Sequence, residues 1–536
     1  MSDITIALVT PPGWTLATGG PHLALPLLAG ALRRDGHSAY LADWNIEVSK
    51  RFGARITEDQ ARAISDDLDF GSMNGPYSAA QDALLGGLAG TTATWDPQLG
   101  YSDSAYDSSD PAAIREALEA PSPIDGVLTD LAQGLLSESR PRIIGFSISV
   151  PGQILPCFYA VRALRKCGFR GIIVLGGNVI TRLASKMALT WVFDWVDALV
   201  VYQGELVLPA LCRASEGRDW TTIPNLVWRD GDQIHANSTH VLTPSQFGAP
   251  DFRGLPLEDY WGAQFLTAVG SRGCYYGRCS FCSIPYAWGN DGFLGNDTPT
   301  AIVQQFETGI SRHGIHRFKF IDEALHPGLL SLVADIVIDR GLKVEFEGYA
   351  RLDQSWLSPR LLSRLSKAGL RKLYVGIEIA GSKNRILLNK SDNADPGKFL
   401  TSLSDHGILA HLFCMFGFPG TGEDDAVATV EFALQHEPHI DTLDILPFHY
   451  ANHTVVPGAI IVDEPERAWA LTHRYLPTVP GALSMEGVSE LARAYENYVW
   501  VTNARWIHPV YRLASPWTPT PTGVEPQRMI LCGSSY

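Results

Sequence analysis

The sequence predicts an α/β chain of two parallel-sheet units: an N-terminal doubly wound sheet, then an open six-stranded relative of the eight-stranded barrel with a small C-terminal extension. Three observations predict it. Apolar runs of strand length alternate with helical patterns through both halves, as β–α units require. The 536 residues exceed one ordinary domain and supply two or three cores. Loops of small residues follow one strand after another, at the end where open sheets and barrels bind ligands.

In the first unit, Ile4–Val9 is an apolar run followed by the loop Thr10-Pro11-Pro12-Gly13 and a helical pattern over Leu23–Arg34 that Gly36-His37 stops. A second strand, Ala39–Asp43, leads into Trp44-Asn45. The alternation resumes at 143 with the strand Ile143–Ser149, a helix over Gln153–Lys166, and the strand Ile172–Leu175 ending in Gly176-Gly177-Asn178. Another helical stretch leads to the strand Asp197–Val201 and Gly204-Glu205. This reads as a Rossmann-like or flavodoxin-like domain over residues 1–215. It lacks G-x-G-x-x-G, so a dinucleotide is not indicated. The small residues of its strand-end loops let a flat ligand approach the backbone. Residues 216–262 read as a hairpin and linker.

The net charge of −15 is concentrated in an insertion over residues 55–140. Between 56 and 135, fourteen acidic side chains face only Arg62 and Arg115. Helical pieces at Ala61–Leu68 and Ala112–Leu118 flank the polar tract Tyr101–Asp110, expected to be mobile in a lid or spacer. The rest of the chain is nearly balanced, which argues against non-specific nucleic-acid binding. The start lacks a basic n-region, and no stretch reaches ~18 apolar residues. A soluble, cytoplasmic protein with no membrane partner is expected.

Over residues 263–460, strands are predicted at Phe265–Val269, Phe318–Asp322, Val344–Tyr349, Lys372–Glu378, Ala410–Phe416 and Thr442–Pro447. Helical patterns fill the gaps at Pro299–Arg312, Leu329–Asp339, Pro359–Ala368, Lys398–His406 and Asp424–Gln435. Residues 461–536 carry a helical pattern over Glu486–Trp500 and aromatic turns through Trp506, Tyr511 and Trp517. This extension is expected to close the open side of the barrel and shape a substrate pocket.

The most telling feature is a C-x4-C-x2-C loop after the first barrel strand: Cys274, Cys279 and Cys282. Eight cysteines in the whole chain are too few for a disulfide framework. A structural zinc site needs a fourth ligand, for which His313 or Cys414 are candidates without a spacing cue. An iron–sulfur cluster held by three cysteines keeps one iron open to a small molecule. Cys157, Cys167, Cys212 and Cys414 read as inert buried thiols, and Cys532 as a terminal bystander.

Beyond these cysteines, Phe281, Phe318-Lys-Phe-Ile-Asp-Glu323, Tyr349-Ala-Arg-Leu-Asp353, Val375-Gly-Ile-Glu378 and Met415-Phe-Gly-Phe-Pro-Gly-Thr421 occur in order. This set resembles the strand-end motifs of radical SAM enzymes, although their usual cysteine spacing is C-x3-C-x2-C and one extra residue separates Cys274 from Cys279 here. The first unit, through Gly145-Phe-Ser-Ile-Ser149, Val174-Leu-Gly-Gly-Asn178, Asp197-Ala-Leu-Val-Val-Tyr-Gln-Gly-Glu205 and the Ile223–Gly231 hairpin, resembles the cobalamin-binding domain of cobalamin-dependent radical SAM enzymes. The resemblance implies three cofactors: a [4Fe-4S] cluster on Cys274, Cys279 and Cys282, S-adenosyl-L-methionine (SAM) and cobalamin. SAM contacts are implied for Phe281, Asp322, Glu323, Arg351, Glu378, Met415 and Gly417. Cobalamin contacts are implied for Thr10, Pro11, Pro12, Ser147, Ser149, Gly176, Gly177, Asn178, Gly204 and Glu205. The D-x-H-x-x-G pattern that supplies a histidine to cobalt is missing, and His22 and His37 fit it poorly. His449, Tyr450 and His453 are substrate candidates.

The activity this resemblance implies is methylation of an unactivated carbon in a natural-product intermediate or peptide, through methylcobalamin and a 5'-deoxyadenosyl radical. A flavodoxin or ferredoxin would donate electrons. The rival within the fold is a radical rearrangement, cyclisation or ring contraction without methyl transfer. From other classes come a non-catalytic corrinoid carrier or sensor and a zinc-binding structural protein.

Overall fold

The computed structural model describes residues 6–13, 21–52, 90–96, 100–214, 219–260, 265–289, 292–390 and 394–502. Ile4 and Thr5, the Ala61–Leu68 helix, Trp506, Tyr511, Trp517 and Cys532 lie outside them. The first unit runs β1 (Ile6–Thr10), α1 (Ala24–Arg34), β2 (Ala39–Asp43), α2 (Trp44–Phe52), a β3–β4 hairpin (Ala93–Asp96, Gly100–Asp103), α3 (Pro111–Ala117) and α4 (Asp125–Ser139). It continues with β5 (Ile143–Ser147), α5 (Ile154–Lys166), β6 (Ile172–Gly176), α6 (Asn178–Met187), β7 (Ala198–Val200), α7 (Gly204–Ala214), β8 (Leu226–Asp230) and β9 (Gln233–Ala236).

Seven of these strands form one sheet in the order β2-β1-β5-β6-β7-β8-β9, parallel up to β7. Every residue of β1 and β5 is buried, because helices cover both faces of the sheet; hence these strands are continuous apolar runs. The hairpin expected beside a linker extends this sheet, with β8 antiparallel to β7 through Leu199↔Val227.

One helix was not foreseen, and two expectations need correction. Trp44-Asn45 opens α2 without an intervening loop, because Asp43 Oδ1 accepts from the Asn45 and Ile46 amides and so caps the helix itself. The Tyr101–Asp110 tract is folded. Its acids close turns, with Asp107 Oδ1 accepting from Ser109 N and Asp110 Oδ1 capping α3 through Ala112 N. Nor is the insertion only a lid, since α4 packs Leu128, Ala132 and Leu135 into the core of the first sheet, and its Asp125 pairs with Arg162.

The second unit has β10 (Leu266–Ala268), a β11–β12 hairpin (Ser271–Gly273, Phe293–Asn296), α8 (Pro299–His313), β13 (Arg317–Phe320), α9 (Pro327–Asp339), β14 (Glu345–Ala350) and α10 (Pro359–Ala368). Then come β15 (Leu370–Glu378), α11 (Pro396–Asp405), β16 (Leu409–Phe416), α12 (Glu423–Gln435) and β17 (Thr442–Pro447). The sheet order β10-β13-β14-β15-β16-β17 is sequential and wholly parallel. Its outer strands β10 and β17 do not pair with each other, so among the described residues this is a six-stranded open barrel. A capping residue followed by proline starts four of the helices: Thr298-Pro299, His326-Pro327, Ser358-Pro359 and Asp395-Pro396. Each cap side chain accepts a backbone amide that the helix would leave unpaired, and proline has no amide to lose at the first position.

The extension reaches both units. Helix α13 (Met485–Thr502) buries Leu491, Ala492 and Val499 in the core that the barrel shares. Trp469 is buried instead in the core of the first unit, with ring centroids 6.0 Å from Phe158 and 5.5 Å from Trp191, while its amide donates to the Ser109 carbonyl. Truncating so large a buried ring typically costs about 3–5 kcal/mol. Trp469→Ala is therefore expected to lower the denaturant midpoint of the first unit, followed by far-UV circular dichroism. An unchanged midpoint would show that this clamp carries no stability.

Candidate functional site

Two cavities lie at the carboxyl ends of the two sheets. The first, of about 360 Å³, is lined by Ser147, Ser149, Gly176, Gly177, Asn178, Gly204 and Glu205, together with Leu8, His22 and Tyr202. The backbone forces this wall to be bare. Gly177 sits at φ +101°, and a Cβ there would stand 2.4 Å from the Ile148 carbonyl oxygen. A Cβ on Gly204 would meet Leu28 at 2.8 Å. Thr10, Pro11 and Pro12 are buried and do not line the cleft; Gln153 Nε2 donates to the Pro11 carbonyl at 2.9 Å and ties this loop to the start of α5.

Burial pulls the His22 pKa down to about 4, so the ring in the cleft is neutral. Its Nδ1 accepts from Ala24 N at 3.3 Å, which leaves the proton of the neutral ring on Nε2. His37 stands beside Asp35, 3.2 Å away, outside the cleft wall.

The second cavity, of about 840 Å³, brings together Cys274, Cys279, Cys282, Phe281, Glu323, Arg351, Glu378, Met415 and His449. Burial raises the Cys279 pKa and pushes that of Cys282 up to about 12. Both are therefore thiols that release protons when a metal binds. Among the described residues no three His, Cys, Asp or Glu side chains converge on a single metal ion. Three cysteines on the wall of one cavity are the kind of donor set a cluster takes, one on each of several irons.

The rest of the wall is organised by charge and strain. The Arg351 guanidinium lies 3.8 Å from the centroid of Tyr276, and Lys390 Nζ donates to Glu378 Oε1 at 2.8 Å. Glu378 holds φ +59° at an irregularity in the β15–β16 register, a conformation that costs about 1–3 kcal/mol and aims the strand end at the cavity. Tyr349, Tyr374 and Phe413 also line the cavity. Tyr374 OH donates to Glu347, which pairs with Lys319 at 3.3 Å, so a polar interior replaces the apolar layers usual in barrels. The insertion also contributes to the wall, through Asp107 to Ser109, as does the extension, through Arg467 and Trp469 to Thr472.

Four of the expected contacts are absent from this cavity. Asp322 is 1% exposed and accepts from Gly270 N at 2.9 Å and Ser271 Oγ at 2.6 Å, so it braces the start of the cysteine loop. Gly417 has its side-chain space filled by Val488 of α13, with a clash at 2.2 Å for any Cβ. Tyr450 is buried and its hydroxyl accepts from Val456 N, while His453 Nε2 donates to the Arg182 carbonyl on the first unit's α6 at 2.9 Å. Tyr349, Tyr374, Lys390 and Arg182 were not singled out from the sequence; only Tyr349 carried a signal, as the first residue of a quoted motif.

The two cavities share Glu323 and Ile284. Glu323 accepts from Trp288 Nε1 at 2.8 Å, yet burial raises its pKa to about 7. A carboxyl whose folded pKa exceeds its unfolded value, near 4.5, contributes most at low pH and loses that contribution as pH rises towards 7. Glu323→Gln, which keeps an acceptor for Trp288, is expected to match the cofactor-free wild type in thermal unfolding at pH 4.5. It should outlast the wild type at pH 8, and parallel curves would disprove the burial effect.

No family model and no curated protein matches the chain. Solved structures do. The radical S-adenosylmethionine methyltransferase TsrM from Kitasatospora setae, with cobalamin and a [4Fe-4S] cluster bound, is 15% identical with a TM-score of 0.59, over 92% of this chain and 89% of that one. Its form with tryptophan substrate and the SAM analogue aza-SAM gives 16% and 0.60, over 91% and 88%. The cobalamin-dependent S-adenosylmethionine radical enzyme OxsB, with aqua-cobalamin and S-adenosylmethionine, is 13% identical at 0.61, over 93% of this chain and 67% of that one. The chain has their fold. The match runs through both units, so the fold includes the pairing of a doubly wound sheet with an open barrel. Among the described residues no helix is long and apolar enough to cross a membrane.

Proposed function

We propose that the chain is a cobalamin-dependent radical SAM enzyme that methylates an unactivated carbon of a small-molecule or peptide substrate. One observation carries this: the glycine-walled cleft and the three-cysteine cavity, each at the carboxyl ends of its sheet, share Glu323 and Ile284 as a common wall. When bound, the cluster with SAM supplies a carbon radical and the corrin a transferable methyl group, chemistry beyond the reach of protein acids and bases.

The chain's own residues position and exclude. Ser147, Ser149, Gly176, Gly177 and Asn178 admit the face of a corrin, and Cys274, Cys279 and Cys282 hold the cluster. Glu323 and Glu378 accept hydrogen bonds from the ammonium or ribose of SAM, Arg351 faces its carboxylate, and Phe281 and Met415 pack against its adenine. His449, whose pKa burial lowers, offers a neutral ring to substrate. The walls from 107–109 and 467–472 keep water from the substrate side.

The test is the iron, sulfide and corrinoid content of protein reconstituted without oxygen, followed by incubation with SAM, a reductant and an electron donor such as flavodoxin or ferredoxin. Bound corrinoid, a [4Fe-4S] spectrum and formation of both 5'-deoxyadenosine and S-adenosylhomocysteine support the proposal. 5'-Deoxyadenosine without S-adenosylhomocysteine would replace methyl transfer with a radical rearrangement. Corrinoid without a cluster would leave a carrier or sensor, and zinc without corrinoid a structural protein.

A further inference from the structure

One cation of the first cleft bonds to the cysteine loop of the second cavity. Arg182, on α6, is 8% exposed and lines the first cleft. Its Nε donates to Asn178 Oδ1 at 3.0 Å, one terminal nitrogen donates to Ser283 Oγ, and the other donates to the Ser283 carbonyl at 3.3 Å. Ser283 directly follows Cys282, and the guanidinium lies within electrostatic reach of that thiol. The joint is reinforced from the far side. His453 Nε2 bonds to the Arg182 carbonyl at 2.9 Å, and its ring stacks on Tyr286, with centroids 3.5 Å apart and planes 2° from parallel. His453 holds φ +62° and Tyr202, on the cleft wall, φ +57°, conformations kept only where the surroundings over-determine them.

The potential of an iron–sulfur cluster responds to nearby charge, hydrogen bonding and solvent exposure, and a guanidinium never gives up its proton. A buried charge acts more strongly once water is removed from around it. Resting on the function proposed above, we propose that Arg182 is a positioning residue that links the two sites: a corrinoid in the first cleft shields its guanidinium from water and thereby raises the reduction potential of the cluster. The electron comes from the external donor and no bond is made or broken. By linkage, the corrinoid binds more tightly to the reduced than to the oxidised protein by the same factor.

The experiment is a redox titration of the reconstituted holoprotein, followed by electron paramagnetic resonance of the cluster, with and without a cobalt-free corrinoid, so that only the cluster takes the electron. The corrinoid should shift the wild-type potential positive. Arg182→Gln, which keeps donors for Ser283 but no charge, should lose most of that shift, while Arg182→Lys should retain it. No shift in wild type, a negative one, or a full shift in Arg182→Gln overturns the proposal. Should Arg182→Gln fail to fold, comparison of corrinoid affinity in oxidised and reduced wild type decides, because equal affinities exclude the linkage. A wild-type protein that takes up no cluster refutes the proposed function instead.

Discussion

Cys279→Ala is expected to abolish reductive cleavage of SAM while leaving corrinoid binding within about twofold of wild type. The loop supplies three cysteines, and the other cysteine that lines the cavity, Cys414, sits on β16 outside the loop. Losing one thiol removes one iron ligand and with it the geometry that leaves another iron open. Protein acids and bases, whose contribution is about 10²–10⁴-fold at best, cannot substitute for that step, so 5'-deoxyadenosine formation should fall by at least ~10³-fold. Corrinoid binding should survive because the glycine wall belongs to another sheet, and Cys279 does not line its cleft. Iron content and deoxyadenosine release, measured on the same preparation as corrinoid absorbance, check this. Retained cleavage in Cys279→Ala would show that the cluster is not held here, and the extra residue between Cys274 and Cys279 would then be the place to look.

Much of the architecture was legible because local signals agreed with the global arrangement. The barrel strands are apolar runs, and four of its helices begin with a capping residue and proline; the starts at Pro299 and Pro359 were read to the residue, whereas those at Pro327 and Pro396 were placed two residues late, at Leu329 and Lys398. Helix α2 was missed because its capping residue, Asp43, also ends a strand, leaving no loop to mark the change of period. The insertion misled through composition. Aspartate and serine were read as solvating residues, whereas Asp103, Asp107, Asp110 and Asp125 all accept local backbone amides and close turns or caps.

The site was less legible where long-range partners decide. Asp322 looked like a free strand-end acid, but Gly270 and Ser271, some fifty residues earlier, consume its oxygens. Gly417 looked like room for a ligand, yet the room is taken by Val488 from the extension. Glu378 and Lys390 form their ion pair across a short helix and a turn, which no periodicity announces. What could be read was chemistry concentrated in a short stretch, the three cysteines. What could not was which of many plausible polar residues the fold leaves facing the cavity.

Gly177→Ala is expected to produce the converse phenotype, a protein that keeps its cluster and loses corrinoid. Gly177 combines φ +101° with ψ 178°, a region open essentially to glycine alone. A Cβ there would lie 2.4 Å from the Ile148 carbonyl oxygen and 2.8 Å from the Ile148 amide nitrogen. Neither atom can yield, because Ile148 N donates to the Gly176 carbonyl and Ile148 O accepts from Val179 N, and the residue is fully buried. The β5 and β6 loops must therefore part, at a cost of about 2–4 kcal/mol from backbone strain and overpacking together. Since these loops form the flat wall of the cleft, corrinoid affinity should fall by roughly 30- to 700-fold, that cost converted at 1.4 kcal/mol per tenfold. The cysteine loop lies on the other unit, so iron and sulfide content should stay at the wild-type level. With Cys279→Ala this forms a double dissociation read by two independent chromophores, and normal corrinoid affinity in folded Gly177→Ala would remove the first cleft as the corrinoid site.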